Sequence, residues 1–338
     1  MFCGLLKIPV FVYFGGNLFS PQLPRSAVIF FSWCSGFLWI TFMLTLLLCT
    51  LHLIPAVRSC GEKIRGFCFP AFFVLSALFV VLTGLNALRP AELVKANVFR
   101  SDDHVFNRPM KVIQLSDLHL SSMTDEIWFA DMITAVNSQE PDLVILSGDV
   151  ADGTVSRRSH FVDRLREIKA SKGIVVVPGN HEYYIDYHGW MNLYRGMNFL
   201  VLENGVWSFR YEDVIVDIIG LTDEEARRHD LPEPRSAVMK RTDQNDGRIR
   251  ILVKHRPKDL DIMIVPEYGI RLVLSGHTHG GMIPLLSPLI AFLNSGFCQG
   301  KYRIGDSILF VSDGTFLWNG FPFRLNSRNM IAEFIFEG

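Results

Sequence analysis

Two hydrophobic rhythms divide this chain. In the first, apolar residues run on without a polar face. Residues 26–57 carry no charge, and their core, AVIFFSWCSGFLWITFMLTLLLCTLHLI, exceeds the roughly 20 apolar residues that cross a bilayer as a helix. Residues 66–88, GFCFPAFFVLSALFVVLTGLNAL, are a second uncharged run, long enough to reach about 35 Å as a helix. The pattern predicts transmembrane helices over 26–54 and 66–88. Soluble helices of that length show a polar face, and the apolar region of a cleaved signal peptide is shorter. A third candidate, 8–19, is interrupted by Pro9, Gly15 and Gly16. It reads as a broken span, an interfacial segment or part of a longer membrane region. Residues 1–89 are thus expected to form the membrane region of a multi-pass integral membrane protein.

The second rhythm starts at Met110. Short apolar runs end in polar, glycine-bearing turns: KVIQL (111–115), DLVIL (142–146), GIVVV (173–177), RIRILV (248–253) and IRLVL (270–274). Helical periodicity lies between some of them, over 124–137 with Thr124 as the expected N-cap, and over 156–170 with Phe161, Leu165 and Ile168 on one stripe. Strand and helix in alternation predict an α/β sandwich whose strands are buried on both faces. Two later stretches, 207–221 and 302–312, read as antiparallel hairpins, so the sheets should be mixed. The charged stretch 222–247 reads as a surface insertion with one short helix, 90–109 as a linker, and 110–338 as the folded domain.

Charge follows the same division. Residues 1–88 hold five of the 33 Lys/Arg and one of the 34 Asp/Glu, a net of +4, which leaves −5 for the rest. No basic stripe interleaved with aromatics occurs in the domain, which argues against a nucleic-acid partner. No sequence feature points to a protein partner. Lys and Arg are nearly equal on the two sides of the predicted spans, so the positive-inside rule assigns the domain to neither compartment. The six cysteines, five of them before residue 70, include no CxxC and no disulfide framework.

Candidate chemistry sits where the apolar runs stop. Asp117 and His119, Asp149, Asn180, His255, and His277 with His279 each follow one of the five strands. Ligands in α/β sheets bind outside the carboxyl ends of strands, so these residues could meet in one crevice. Oxygen and imidazole donors without thiolate suit Mn, Fe or Zn. Seven donors exceed one tetrahedral set and suit two ions about 3.5–4 Å apart, an arrangement used in phosphoryl displacement. Singly each motif is weak. A lone histidine is usually a packed or surface residue, and His52, His104, His160, His188 and His229 keep that reading.

The ordered blocks DLH (117–119), GDVAD (148–152), GNHE (179–182), HRP (255–257) and GHTH (276–279) resemble those of the calcineurin-like metallophosphoesterase superfamily. The GHTHGG ending looks most like its small, membrane-associated bacterial-type branch. The preceding apolar spans look similar to animal transmembrane proteins with a metallophosphoesterase domain. The resemblance implies a four-layer α-β-β-α sandwich preceded by transmembrane helices. It implies that Asp117, His119 and His279 hold one ion, that Asn180, His255 and His277 hold the other, and that Asp149 bridges. It also implies that His181 protonates the leaving group and that Asp152 orients His181. The chain departs from the family's protein phosphatases, which follow GDxxD with Arg-Gly, whereas Gly153 and Thr154 stand here. Met282 replaces the glutamine that often follows GHTHGG.

The expected activity is hydrolysis of a phosphate ester by a metal-activated hydroxide. A runner-up is a lipid or glycolipid-anchor phosphodiesterase at the bilayer. The apolar stretch 280–297 follows His279 directly and is expected to pack as core, with a membrane-facing lip as the alternative. A catalytically idle membrane scaffold is the third reading. It would have been expected to lose ligands, and none is missing.

Overall fold

The computed structural model describes residues 22–51, 73–97, 106–231, 246–258, 265–284, 286–318, 322–325 and 327–337. The candidate segment 8–19 and residues 66–72 lie outside the described residues. The described residues begin with helices α1 (Arg25–Leu51) and α2 (Phe73–Ala87). Strand β1 (Glu92–Asn97) falls within the stretch read as a linker. Then come β2 (Met110–Leu115), α3 (Glu126–Ser138), β3 (Leu143–Leu146), α4 (Val155–Asp163) and β4 (Ile174–Val176). Helices α5 (Asn180–Ile185) and α6 (Tyr187–Gly196) lead to β5 (Leu200–Val201) and the hairpin β6 (Gly205–Tyr211) and β7 (Val214–Gly220). Strands β8 (Ile249–Val253) and β9 (Leu272–Ser275), α7 (Ser287–Leu293), the hairpin β10 (Gly300–Ile304) and β11 (Ser307–Val311), and β12 (Met330–Phe336) complete the described elements.

Two six-stranded mixed sheets result, ordered β1-β12-β2-β3-β4-β5 and β10-β11-β9-β8-β7-β6. Side chains alternate across a strand, and here both faces are apolar. Val112, Ile145 and Val175 of the first sheet face Ile218, Ile251 and Leu272 of the second in the inner core. Ile113, Val144 and Leu146 point the other way, against Phe129, Met132 and Val136 of α3 and Trp190 and Tyr194 of α6. The outer face of the second sheet packs Leu252, Val273 and Val311 against Val265, Ile270 and Phe297. Among the described residues that face is covered by a 3-10 turn, Val265–Tyr268, instead of a long helix. β2, β3 and β4 run parallel, as do β7, β8 and β9. Their carboxyl ends therefore open on one edge.

Four expectations change. The N-cap of α3 is Asp125, whose carboxylate accepts from the backbone N–H of Ile127 and Trp128; an ionised acceptor caps at least as well as the hydroxyl of Thr124. The stretch 222–247 does not begin as a surface insertion, because Thr222, Asp223 and Glu225 are buried. The stretch 280–297 does not pack as core throughout: Ile283 and Phe297 are buried, but no residue of α7 is.

The fourth change concerns the membrane region. Among the described residues only one helix is long and apolar enough to cross a membrane, with its candidate span at Arg25–Met43. The described part of the second apolar helix, Phe73–Ala87, is about 22 Å long, below the roughly 30 Å hydrocarbon core. The expectation of a multi-pass integral membrane protein is corrected accordingly. Both helices also dock on the domain. Val28 and Ala87 pack with Met123 and Leu317, and Ile40 and Val80 pack with Ile283 and Phe323. Arg25 Nη1 pairs with Asp125 at 3.2 Å, and its Nε donates to the Met123 carbonyl.

Candidate metal centre

Backbone conformation at the open edge is unusual. Asp117, His119, Asp149, His277 and His279 all have positive φ, between 40° and 69°. Non-glycine residues rarely adopt that region, and such strain clusters at functional sites. The glycines beside these residues are sterically required. A Cβ on Gly179 would overlap the carboxylate of Asp149, and one on Gly276 would overlap Ser116 Oγ and Asp117 Oδ2. The close approach of one loop to the next therefore depends on the absence of a side chain.

The turns bring the donors together. His119 Nε2 and His279 Nε2 lie 3.2 Å apart, and Asp117 Oδ1 is 3.9 Å and 3.6 Å from them. Asp149 Oδ2 lies 3.2 Å from His255 Nε2, 3.8 Å from His119 Nε2 and 3.9 Å from His181 Nε2. Two groups compact enough to hold an ion are Asp117–His119–His279 and Asp149–His255–His277. Asn180 lines the same cleft, and its carboxamide donates to Tyr184 Oη at 3.2 Å. A third group, His119–Asp152–His181, is a hydrogen-bonded relay: Asp152 Oδ1 lies 3.1 Å from His119 Nδ1 and 2.6 Å from His181 Nδ1.

The tautomer of His255 tests whether a cation fits. Its Nδ1 lies 2.8 Å from the Ser147 carbonyl, which can only accept, so Nδ1 carries a hydrogen. In the neutral ring Nε2 then presents a lone pair to Asp149 Oδ2. Nε2 has no hydrogen-bond partner of acceptable geometry. Two facing lone pairs require a proton or a metal ion between them. Without metal the answer is a proton. Burial opposes the charge, but Asp149 and then Asp117 raise His255 to about 10. Asp149 is held well below the usual carboxylate range against its burial, chiefly by His255 and His181. Burial likewise lowers His181, yet Asp149 and Asp152 outweigh it and bring it to about 9. His277 and His279 are pushed down by burial and then by neighbouring basic side chains, His255 and Arg256 for one, His119 and Arg324 for the other. A divalent ion would displace the protons and satisfy the same carboxylates.

The profile of calcineurin-like phosphoesterases matches residues 110–281, which contain every donor named above. The chain belongs to the calcineurin-like phosphoesterase family. An uncharacterized metallophosphoesterase of Campylobacter jejuni is 31% identical over 73% of this chain and 64% of its own length. A transmembrane protein with metallophosphoesterase domain from Danio rerio is 30% identical over 78% of this chain and 61% of that one. The chain thus spans about three fifths of the length of these curated relatives. Among solved structures, the calcineurin-like phosphoesterase YfkN of Bacillus subtilis is 15% identical over 62% of this chain and 82% of that one, with a TM-score of 0.42.

Several residues that support the phosphoesterase centre were given no role by the sequence. Glu182 is fully buried and accepts from three backbone N–H groups, Asp149 at 3.0 Å, Val150 at 2.7 Å and Gly179 at 2.7 Å. Burial and then Asp149 raise its pKa to about 7, against the backbone donors. The buried Trp190 donates Nε1–H to the Gly153 carbonyl at 2.9 Å, which ties α6 to the GDVAD loop. Arg256 pairs with Asp223 at 3.3 Å and Glu225 at 3.4 Å beside Asn180. GNHE and HRP contain Glu182 and Arg256, so their positions were visible; their partners were not.

Proposed function

We propose that the chain is a membrane-anchored hydrolase that uses two metal ions to cleave phosphate esters. The observation that carries this reading is Asp149 Oδ2, which lies within 3.9 Å of three imidazole Nε2 atoms in a buried centre. In this reading Asp117, His119 and His279 hold one ion, Asn180, His255 and His277 hold the other, and Asp149 lies between them. Two Mn, Fe or Zn ions, when bound, supply charge neutralisation for a phosphoryl group and a water acidic enough to attack at neutral pH.

The chain's own groups do the rest. Asp152 holds His181 by Nδ1 and turns Nε2 toward the cleft. His181 protonates the leaving oxygen. Its raised pKa keeps the proton available near neutrality, and bound cations would bring it down toward the working pH. The cleft, about 490 Å³, is lined by Arg228, Arg256 and Lys258, cations suited to the remaining phosphate oxygens.

Anchoring rests on the outer faces of α1 and α2. Phe30, Trp39 and Phe42 of α1, and Val74, Leu75, Leu82 and Leu85 of α2, are exposed. Apolar surface on that scale marks an apolar partner, and Arg25–Met43 meets the length for a span. The same feature favours the second reading, a lipid or glycolipid-anchor phosphodiester. Ile290 and Leu293 of α7 also line the cleft, while Leu289, Phe292 and Leu293 are 56%, 81% and 60% exposed. The segment just before α7, at Ile283 and Leu286, packs in the same cluster as Ile40 of α1.

One substrate screen on the detergent-purified chain separates these readings. It uses Mn, Zn and Fe with p-nitrophenyl phosphate, its bis-ester and a vesicle-borne phosphodiester. His181→Ala should keep both ions and lose about 10²–10⁴ in turnover. Asp149→Ala should lose metal and activity together. A fully active Asp149→Ala protein overturns the assignment. Two bound ions with no turnover on any ester would favour the idle scaffold. The lipid reading requires the vesicle substrate to be preferred and that preference to fall in Phe292→Asp.

A further inference from the structure

We infer that Arg324 is a positioning residue through which the N-terminal helix pair becomes part of the metal centre. The inference rests on the two-ion reading above. Arg324 faces two ways. Its main chain belongs to the helices: its N–H donates to the Thr83 carbonyl at 3.1 Å, and its carbonyl accepts from Asn86 Nδ2 at 3.0 Å. The preceding Phe323 is buried with Ile40 and Val80, and its ring lies so close to Gly36 that a Cβ there would overlap it. Further along, Asn329 donates to the carbonyls of Ala87 and Arg89, just where α2 ends. The segment around Arg324 is therefore fastened to α1 and α2 at both ends.

Its side chain belongs to the centre. Nη1 donates to the carbonyls of Asp313 at 2.6 Å and Arg328 at 3.1 Å, and Nη2 donates to Phe316 at 2.9 Å. Nη1 also lies 3.5 Å from the His279 carbonyl. These carbonyls frame two of the strained ligand residues. Thr315 N–H donates to the Ser116 carbonyl at 2.7 Å, and Phe316 N–H lies 3.4 Å from that of Asp117. Between them Gly314, at φ +88°, leaves room for His279 Nδ1 and Arg324 Nη2; a Cβ would sit 3.0 Å and 3.2 Å from them. Arg324 thus closes the 313–316 loop over Asp117 and His279.

The chemistry of the side chain supports a holding role. Arg324 is only 2% exposed, and a buried guanidinium is costly unless its hydrogens are used. Both Nη groups donate, while Nε has no partner among the described residues. A planar fork can hold several carbonyls in fixed directions, which a lysine cannot do. The 3.5 Å approach of Nη2 to His279 Nδ1 is at the edge of hydrogen bonding. The grip is therefore on the backbone, and the imidazole stays free to turn Nε2 toward Asp117. The hydrogen bonds of Arg324 reach none of Asn180, His255 and His277, so the effect should fall on one ion.

The test counts metal and does not depend on turnover. The whole 338-residue chain in detergent is stripped, titrated with Mn by calorimetry, and its bound metal counted after gel filtration. Wild type should take two ions. Arg324→Met should weaken one of them by about tenfold or more, the usual cost of losing an outer-shell partner, and leave the other within about twofold. Arg324→Lys should fall between wild type and Arg324→Met. Asn86→Leu, a change on the helix that acts only through the Arg324 carbonyl, should weaken the same ion by at least about threefold, less than the loss of the outer-shell partner itself. If Arg324→Met fails to fold, Asn86→Leu decides alone. Unchanged affinities in the folded variants, or equal weakening of both ions, would overturn the coupling. Fewer than two ions in wild type would instead overturn the two-ion reading, and the coupling with it.

Discussion

Glu182 offers the sharpest test of how the centre is built. Its carboxylate holds the two loops that carry Asp149 and Asn180 by accepting from Asp149, Val150 and Gly179 N–H. Glu182→Ala leaves three buried backbone donors without partners, each worth about 1–3 kcal/mol. Removing a fully buried carboxyl group, already pushed up to about 7, also relieves its own burial cost. The net loss should be about 3 kcal/mol, or roughly 6–12 °C in melting temperature for a domain of this size. Glu182→Gln can keep the two bonds made by Oε2 and must oppose Val150 N–H with its own NH2. It should lose about half as much. Melting of the metal-free chain, followed by near-ultraviolet circular dichroism in detergent, reads both. A Glu182→Ala protein that melts within about 2 °C of wild type would refute the reasoning, because three orphaned donors cannot cost so little.

Two further outcomes follow from the same geometry. Gly276→Ala should abolish tight metal uptake, since its Cβ overlaps Ser116 and Asp117, whereas Gly196→Ala, with open space around it on α6, should bind both ions and gain about 0.5–1 kcal/mol of stability; a metal titration and a melt of each variant check this. Metal uptake should release protons at pH 8, because His255 is protonated there in the metal-free centre. Its folded pKa, about 10, is raised above the ordinary 6.5, so affinity should rise with pH until about 10. By the same sign, the stability that charged His255 gives the metal-free protein is full below 6.5 and lost as pH rises through about 10. Calorimetry in two buffers of different ionisation enthalpy measures the release, and none at pH 8 would contradict the shift.

The sequence by itself determined an α/β sandwich with mixed sheets and, through its ordered motifs, the family; the two sheets followed from the resemblance. Apolar runs of strand length, each stopped by Gly, Asp, Asn or His, state both the strand and its carboxyl end within a few residues. Hairpins at 205–220 and 300–311 were legible for the same reason, since turn and strands are neighbours in the chain. Local pattern could not say what lies opposite. His119 meets His279 across 160 residues, and Glu182 reaches back to a loop over 30 residues earlier. Burial on α7 was misread because an apolar heptapeptide looks the same whether it faces a sheet or open space. The N-terminal helices were read as spans from hydropathy alone, which records apolar surface but not its partner. Only the tertiary structure turned one face of α1 and α2 onto the phosphoesterase domain and left the other bare. Only it placed Arg324 between Asn86 and His279, because a backbone carbonyl carries no side-chain signature from which a sequence could name its donor.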